Sequence, residues 1–403
     1  MQADFFFDIV CPQSWLAAEA VAGLTARTGA TIRWRPVALA GLIRASGEDP
    51  IPQEQWAPAR AAMGRKDVLR QAAVRGLSLK WPSQHPRGSA DAMQLLAIAP
   101  EERVPDLALA LLRAYWSGDR DVADRAVLRE VAASAEVDPA LVGKDAGHGA
   151  LATATEAAAA SGVFGVPAWR VGERLWWGAD RVDFVEAALG GARGDPAPVS
   201  GATGQRFSFF HDLSSPFSYL ASTQVERVAA DHGATVEWRP ILLGALFRDI
   251  GTPNVPLLAM SAAKQRWMAS DLRSWAARWG VPLRWPSCFP VRTVLPLRAC
   301  LVAPEATGAL YRALWADDRN IGEPEVCRAV LDEAGLDGAA ISARTQEPAV
   351  KQMLRDNTGA ARDAGACGVP TFQLQDGALI WGQDRLDLLG RFLAGWRPPE
   401  ESS

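Results

Sequence analysis

Cysteine and histidine are scarce in this chain, and their scarcity excludes several chemistries. Five cysteines (Cys11, Cys288, Cys300, Cys327, Cys367) are spread over 403 residues. They form no CxxC pair, and their odd number argues against a disulfide framework. Four histidines without close Cys/His spacing argue against a zinc site, so no metal is expected. No unbroken apolar run reaches the roughly 20 residues of a membrane-spanning helix. The opening Met1-Gln2-Ala3-Asp4 has no basic segment of the secretory type, which makes cytoplasmic location the expectation. Charge of one sign is also missing as a block. Lys+Arg total 42 against 46 Asp+Glu, a net charge of −4, so no nucleic-acid footprint is present. What remains, 49% hydrophobic and 22% charged residues, is the balance of a globular α/β chain long enough for two or three domains.

What the chain does have is itself, twice. Asp8 in FFFDIVCPQSWLA corresponds to Asp212 in SFFHDLSSPFSYLA, 204 residues later. The same offset carries Thr31–Pro36 onto Thr235–Pro240, Leu79–Pro82 onto Leu283–Pro286, and Trp177–Arg181 onto Trp381–Arg385. Between them Tyr115-Trp116 matches Leu314-Trp315 at an offset of 199, so a few residues are lost and regained. The expected division is a first repeat over 1–191, a Gly/Pro-rich linker over 192–204, a second repeat over 205–396 and a disordered tail over 397–403.

Each half reads as βαβ, then mostly helix, then ββα. Phe5–Val10 is a short aromatic and β-branched run, as in a buried parallel strand. Pro12 and Pro216 stand where a first helical turn begins. Phe217, Ala221, Val225 and Val228 follow at helical spacing until Gly233. Val166-Pro167 and Val369-Pro370 precede a short strand, a Trp-Gly turn and a last amphipathic helix. This order describes two thioredoxin-like domains, each with a helical insertion between its βαβ and ββα units.

Both halves resemble the 2-hydroxychromene-2-carboxylate isomerases and kappa-class glutathione transferases. The second half carries the resemblance best. Its blocks are Asp212-Leu213-Ser214-Ser215-Pro216-Phe217-Ser218-Tyr219, then Leu243–Arg248 with Pro253-Asn254, then Gly368-Val369-Pro370-Thr371-Phe372, and Trp381–Leu386. The first half matches over the same length but departs at important places, above all in having Cys11 where the second has Ser215.

The resemblance implies glutathione as cofactor. Ser215, otherwise an ordinary helix N-cap, becomes the donor to the glutathione sulfur. Val369-Pro370, and Val166-Pro167 if the first half also binds, become cis-proline corners whose backbone pairs with the cysteinyl unit. Trp381, Gly382, Gln383 and Asp384, with Asp180 in the first half, hold the glutamyl end unless the aspartates merely cap helices. Arg248, Asn254 and Phe289 are the candidates for the aromatic acid, although an exposed structural role for Arg248 is as consistent with the sequence. In the first half Arg44 is followed by acidic Glu48-Asp49, which would repel a carboxylate. Cys11 is the other catalytic candidate, because a helix N-terminus lowers a thiol pKa. The remaining cysteines read as small buried hydrophobes.

Three activities follow: a glutathione-dependent isomerase of aromatic-derived unsaturated acids, a kappa-like transferase acting on electrophiles, or a thiol–disulfide oxidoreductase using Cys11. One half could instead be a non-catalytic support. The expected partners are small molecules, with no nucleic acid and no membrane. Related single units pair as dimers, so the two halves should pack as a pseudo-dimer within one monomeric chain.

Overall fold

The repeated segments build two four-stranded mixed sheets. The computed structural model describes residues 1–48, 56–192 and 201–399. In the first half β1 (Gln2–Phe7), β2 (Thr31–Pro36), β3 (Ala168–Val171) and β4 (Arg174–Trp177) lie in the order β2-β1-β3-β4. In the second, β5 (Arg206–His211), β6 (Thr235–Pro240), β7 (Thr371–Gln373) and β8 (Leu379–Trp381) lie in the order β6-β5-β7-β8. The first pair of each sheet is parallel and the other two pairs are antiparallel.

A parallel pair requires a crossover, and a helix supplies it. In the first half this is Pro12–Thr28, ended by Gly29 in the left-handed conformation at φ 64°. The second half departs from the expected single helix: Pro216–Ser222 and Val225–Asp231 are separate. The sequence explains the break. Ser222 and Thr223 turn their hydroxyls onto the carbonyls of Tyr219 and Leu220, at 2.7 and 2.8 Å, in competition with the helical backbone.

The aromatic runs fill the centre of each sheet. Phe5 stacks on Trp169 at 4.3 Å and meets Trp34 edge-on at 5.1 Å. Phe209 repeats this with Phe372 at 5.3 Å and Trp238 at 4.9 Å. Such pairs contribute roughly 0.5–1.5 kcal/mol beyond area burial. The helical insertion is fastened to the sheet by an indole in each half: Trp116 Nε1 donates to the Ile9 carbonyl at 2.9 Å, and Trp315 Nε1 to that of Leu213 at 2.8 Å. The repeated tryptophans therefore sit where the insertion must be locked to the loop that follows the first strand.

Of the expected linker, 193–200 lie outside the described residues, and so do 400–403 of the tail. Arg397, within the tail, bonds Asp376 at 2.7 Å and the Phe392 carbonyl at 2.9 Å. Among the described residues no helix is long and apolar enough to cross a membrane.

The halves meet through a reciprocal set of charges. Arg181 bonds both carboxylate oxygens of Asp271, at 2.7 and 2.9 Å, and Asp384 at 2.9 Å. The repeat offset turns this set into its counterpart: Arg385 bonds both oxygens of Asp67, at 2.7 and 2.9 Å, and Asp180 at 2.6 Å. Residue i touching j while the equivalent of j touches the equivalent of i is the signature of an isologous interface. Replacing Arg181 by Met should lower the free energy of unfolding by about 3–5 kcal/mol, because Asp271 would be left as an unpaired buried charge. Urea unfolding checks this; a loss below about 1 kcal/mol would mean that water or another cation replaces the guanidinium.

Candidate active site

Ser215 stands at the turn between β5 and the helix Pro216–Ser222, and the turn is fixed by Asp212. One oxygen of the Asp212 carboxylate accepts from the Ser214 N–H at 2.9 Å and the Thr293 hydroxyl at 2.8 Å, and the other accepts from the Leu243 N–H at 2.8 Å. Burial pushes the Asp212 carboxyl up, while these donors oppose the shift. Ser215 Oγ accepts from the Ser218 N–H at 3.2 Å and donates to the Val369 carbonyl at 3.4 Å. Val369-Pro370 is cis, as is Val166-Pro167. His85-Pro86 and Phe289-Pro290 are cis as well, a feature not anticipated from the sequence.

The Trp-Gly turn needs its glycine. Gly382 has φ 113°, and a Cβ there would stand 2.5 Å from Asp384 Oδ1. Its N–H donates to the Pro370 carbonyl at 3.0 Å, which ties the turn to the proline corner. Gln383 is buried, and its side-chain amide makes no hydrogen bond to another described residue. Asp180 and Asp384 do not act as helix caps: both are claimed by the interdomain arginines.

These elements enclose a cavity of about 1200 Å³. Ser215, Val369, Pro370, Trp381, Gly382, Gln383 and Asp384 line it, as do Arg248, Asn254 and Phe289. Cys11, Val166, Pro167 and Asp180 do not. The first half also contributes, through Arg60, Met63, Asp67 and Arg70 on the helix Pro58–Val74 and through Arg181. Sequence reasoning missed these residues, because nothing in one repeat signals what it gives to the other. Arg248 lies at the rim, 75% exposed and paired with Asp249 at 3.1 Å.

The first half is built differently at the equivalent place. Phe164 packs against Trp177 at 5.2 Å, and Trp177 meets Trp267 edge-on at 5.1 Å. Around the second-half site, the smaller Cys367 and the first half's Met63 take the positions of Phe164 and Trp267. Cys11 donates its S–H to the Val166 carbonyl at 3.3 Å and makes no cap bond to the helix. The expected depression of its pKa is corrected here: burial pushes the thiol up to about 11, against weaker hydrogen bonds from Ser14 and Gln13. A helix N-terminus does not compensate for loss of solvent around the sulfur. Cys300, Cys327 and Cys367 are buried as expected, whereas Cys288, like Cys11, is only partly so.

Matches to known proteins agree with this architecture. The DSBA-like thioredoxin domain family model matches residues 2–190 and again 206–394, and the chain belongs to that family. More narrowly, it is a tandem duplication of a unit related to the 2-hydroxychromene-2-carboxylate isomerases and kappa-class glutathione transferases. The 2-hydroxychromene-2-carboxylate isomerase of Sphingobium xenophagum is 30% identical over 189 residues, covering 46% of this chain and 96% of that protein. That of Pseudomonas putida is 29% identical over 186 residues, covering 45% and 90%. The kappa 2 glutathione transferase of Caenorhabditis elegans is 26% identical over 205 residues, covering 46% and 90%.

Behind the site, His211 replaces Phe7 of the first half and lies 3.1 Å from the Tyr311 hydroxyl. Burial lowers its pKa to about 3. The unfolded value is about 6.5, so the unfolded chain takes up the proton first. Above about pH 6.5 His211 is neutral in both states and adds no pH dependence, and stability is lost as pH falls from there toward 3. By pH 5 the loss is on the order of 2 kcal/mol. In His211→Phe the urea midpoint should fall less between pH 7 and pH 5 than in the parent; an equal fall would place the acid sensitivity elsewhere.

The Cys11 environment makes its own prediction. In the folded protein at pH 7, iodoacetamide should label Cys11 no faster than Cys288, as followed by mass mapping. Preferential labelling of Cys11 would contradict a protonated, half-buried thiol.

Proposed function

We propose that this chain is a glutathione-dependent isomerase of aromatic-derived unsaturated acids, of the 2-hydroxychromene-2-carboxylate type, with its working site in the second half. The observation that carries this reading is the Ser215 hydroxyl at the cavity wall, whose proton is given only to the Val369 carbonyl at 3.4 Å. A thiolate is a stronger acceptor than an amide carbonyl at that length, so Ser215 can turn its proton to a sulfur placed beside it.

The surrounding residues fit the tripeptide. The Val369 N–H makes no hydrogen bond among the described residues, which leaves this corner able to pair with an extended peptide. Buried Gln383 offers an amide with no partner among the described residues, and Asp384 and Arg181 offer charges of both signs to the zwitterionic glutamyl end. The cavity, about 1200 Å³, is larger than the usual small-molecule site and has room for a tripeptide beside an aromatic acid. When bound, glutathione supplies a thiolate that adds reversibly to the unsaturated acid and leaves unchanged after bond rotation. Phe289 and Trp285, 4.9 Å apart, provide an aromatic wall, and Asn254 a polar contact opposite Gly244.

A kappa-like transferase would use the same cavity and the same hydroxyl, and differs only in retaining the thiol on the product. Oxidoreductase chemistry through Cys11 has less support, since that thiol is protonated and has no second cysteine within a CxxC spacing.

Ser215→Ala removes a hydrogen bond to a charged acceptor, worth about 1.5–3 kcal/mol. Glutathione-dependent turnover should drop by about 10–100-fold, and the ultraviolet absorbance of bound thiolate at pH 7 should disappear. Undiminished turnover in that variant would sink the assignment.

A further inference from the structure

The basic side chains lining the cavity are nearly all committed. Two belong to the interdomain charge cluster. Arg60 lies over the Trp56 ring at 4.4 Å, Arg70 donates to the Leu379 carbonyl, and Lys264 reaches Glu48 at 3.5 Å. Arg248 pairs with Asp249, and Arg292 is exposed.

Arg298 is different. It projects from the helix Val294–Val302 into the cavity wall and is half-buried. Its Nε is shielded from solvent and has no hydrogen-bond partner, and no carboxylate pairs with it among the described residues. A guanidinium donor removed from water without an acceptor is destabilising, so its retention here calls for an acceptor that enters from the cavity. The helix is also held in register with Ser215: Thr293, the residue before it, donates to Asp212, which fixes the Ser215 turn. The equivalent position in the first half is Gln94, a neutral residue whose half lends no thiol to the cavity.

We infer that Arg298 binds a ligand carboxylate in this cavity, through the planar two-donor face that suits a carboxylate. The inference rests on the isomerase reading for its two candidate sources, the acid substrate and a carboxylate of the tripeptide thiol.

The test uses the full chain and the variant Arg298→Gln, which installs the residue type of the first half. Salicylate, an aromatic carboxylate, and salicyl alcohol, its neutral analogue, are titrated by tryptophan fluorescence; glutathione is titrated by calorimetry. Weakening of salicylate by about 10–100-fold with salicyl alcohol and glutathione unchanged assigns Arg298 to the acid substrate. A comparable weakening of glutathione alone assigns it to the tripeptide. Arg298→Lys should recover part of whichever affinity is lost, and an unchanged unfolding midpoint in Arg298→Gln excludes collapse of the site. Equal binding of both carboxylates by the parent and Arg298→Gln overturns the inference, as does a parent that binds neither. A parent that binds salicylate through Arg298 yet shows no glutathione-dependent turnover of such acids overturns the isomerase reading and leaves the carboxylate site standing.

Discussion

The reciprocal pairing of Arg181 and Arg385 with aspartates of the opposite half is the constraint on which the site depends. Although burial alone would raise it, Arg181 and Arg385 together hold the Asp180 carboxyl well below the usual range. At Asp271 the balance tips the other way, and burial pushes the carboxyl up in spite of Arg181. Buried ion pairs of this kind are weak sources of net stability but penalise any arrangement that separates them. Their effect is positional. Asp67 lies on the same helix as Arg60 and Met63, so the bond from Arg385 to Asp67 brings that first-half helix to the cavity of the second. Asp384 is both a cavity-lining residue and a partner of Arg181, so the joint between the halves and the wall of the site share an atom group.

Much of this was legible in the sequence because the repeat supplied an internal comparison. The aromatic runs at Phe5 and Phe207, the Trp-Arg-Pro blocks and the Trp-Gly turns are backbone-determining features, and they recur at one offset because both sheets need them. That the second-half candidates line one cavity was legible for a further reason: strand ends, the cis-proline corner and the Trp-Gly turn converge at one edge of a thioredoxin-like sheet, so sequence blocks far apart fall together. Two things were hidden. The break at Ser222-Thr223 depends on hydroxyl rotamers rather than on apolar periodicity. The Cys11 thiol depends on how much protein surrounds it, and position at a helix start carries no information about that.

Contacts between the halves were the least legible. Asp67, Asp271 and Arg181 look like ordinary surface charges on amphipathic helices when read along one repeat. Only the apposition of the two repeats turns them into a buried network. Arg298 was silent for a related reason: an arginine on an apolar helix reads as a side chain that extends its charged end to water, and only the enclosing cavity shows that its Nε is cut off from it.

The two halves have kept their frame and diverged at the site. The indole bonds of Trp116 and Trp315, the aspartate bonds of Asp8 and Asp212 to the next helix, and the glycine turns at Gly178 and Gly382 are matched pair for pair. Among the many differences between the repeats, four face the cavity beside Ser215: Ser215 for Cys11, Gln383 for Ala179, Cys367 for Phe164, Arg298 for Gln94. Each substitution adds polarity or space in the second half and removes it from the first. Together they leave the cavity beside Ser215 with more room and more polar groups than the equivalent place beside Cys11. The first half lends the helix Pro58–Val74 and Arg181 to that cavity, so neither repeat builds its wall alone.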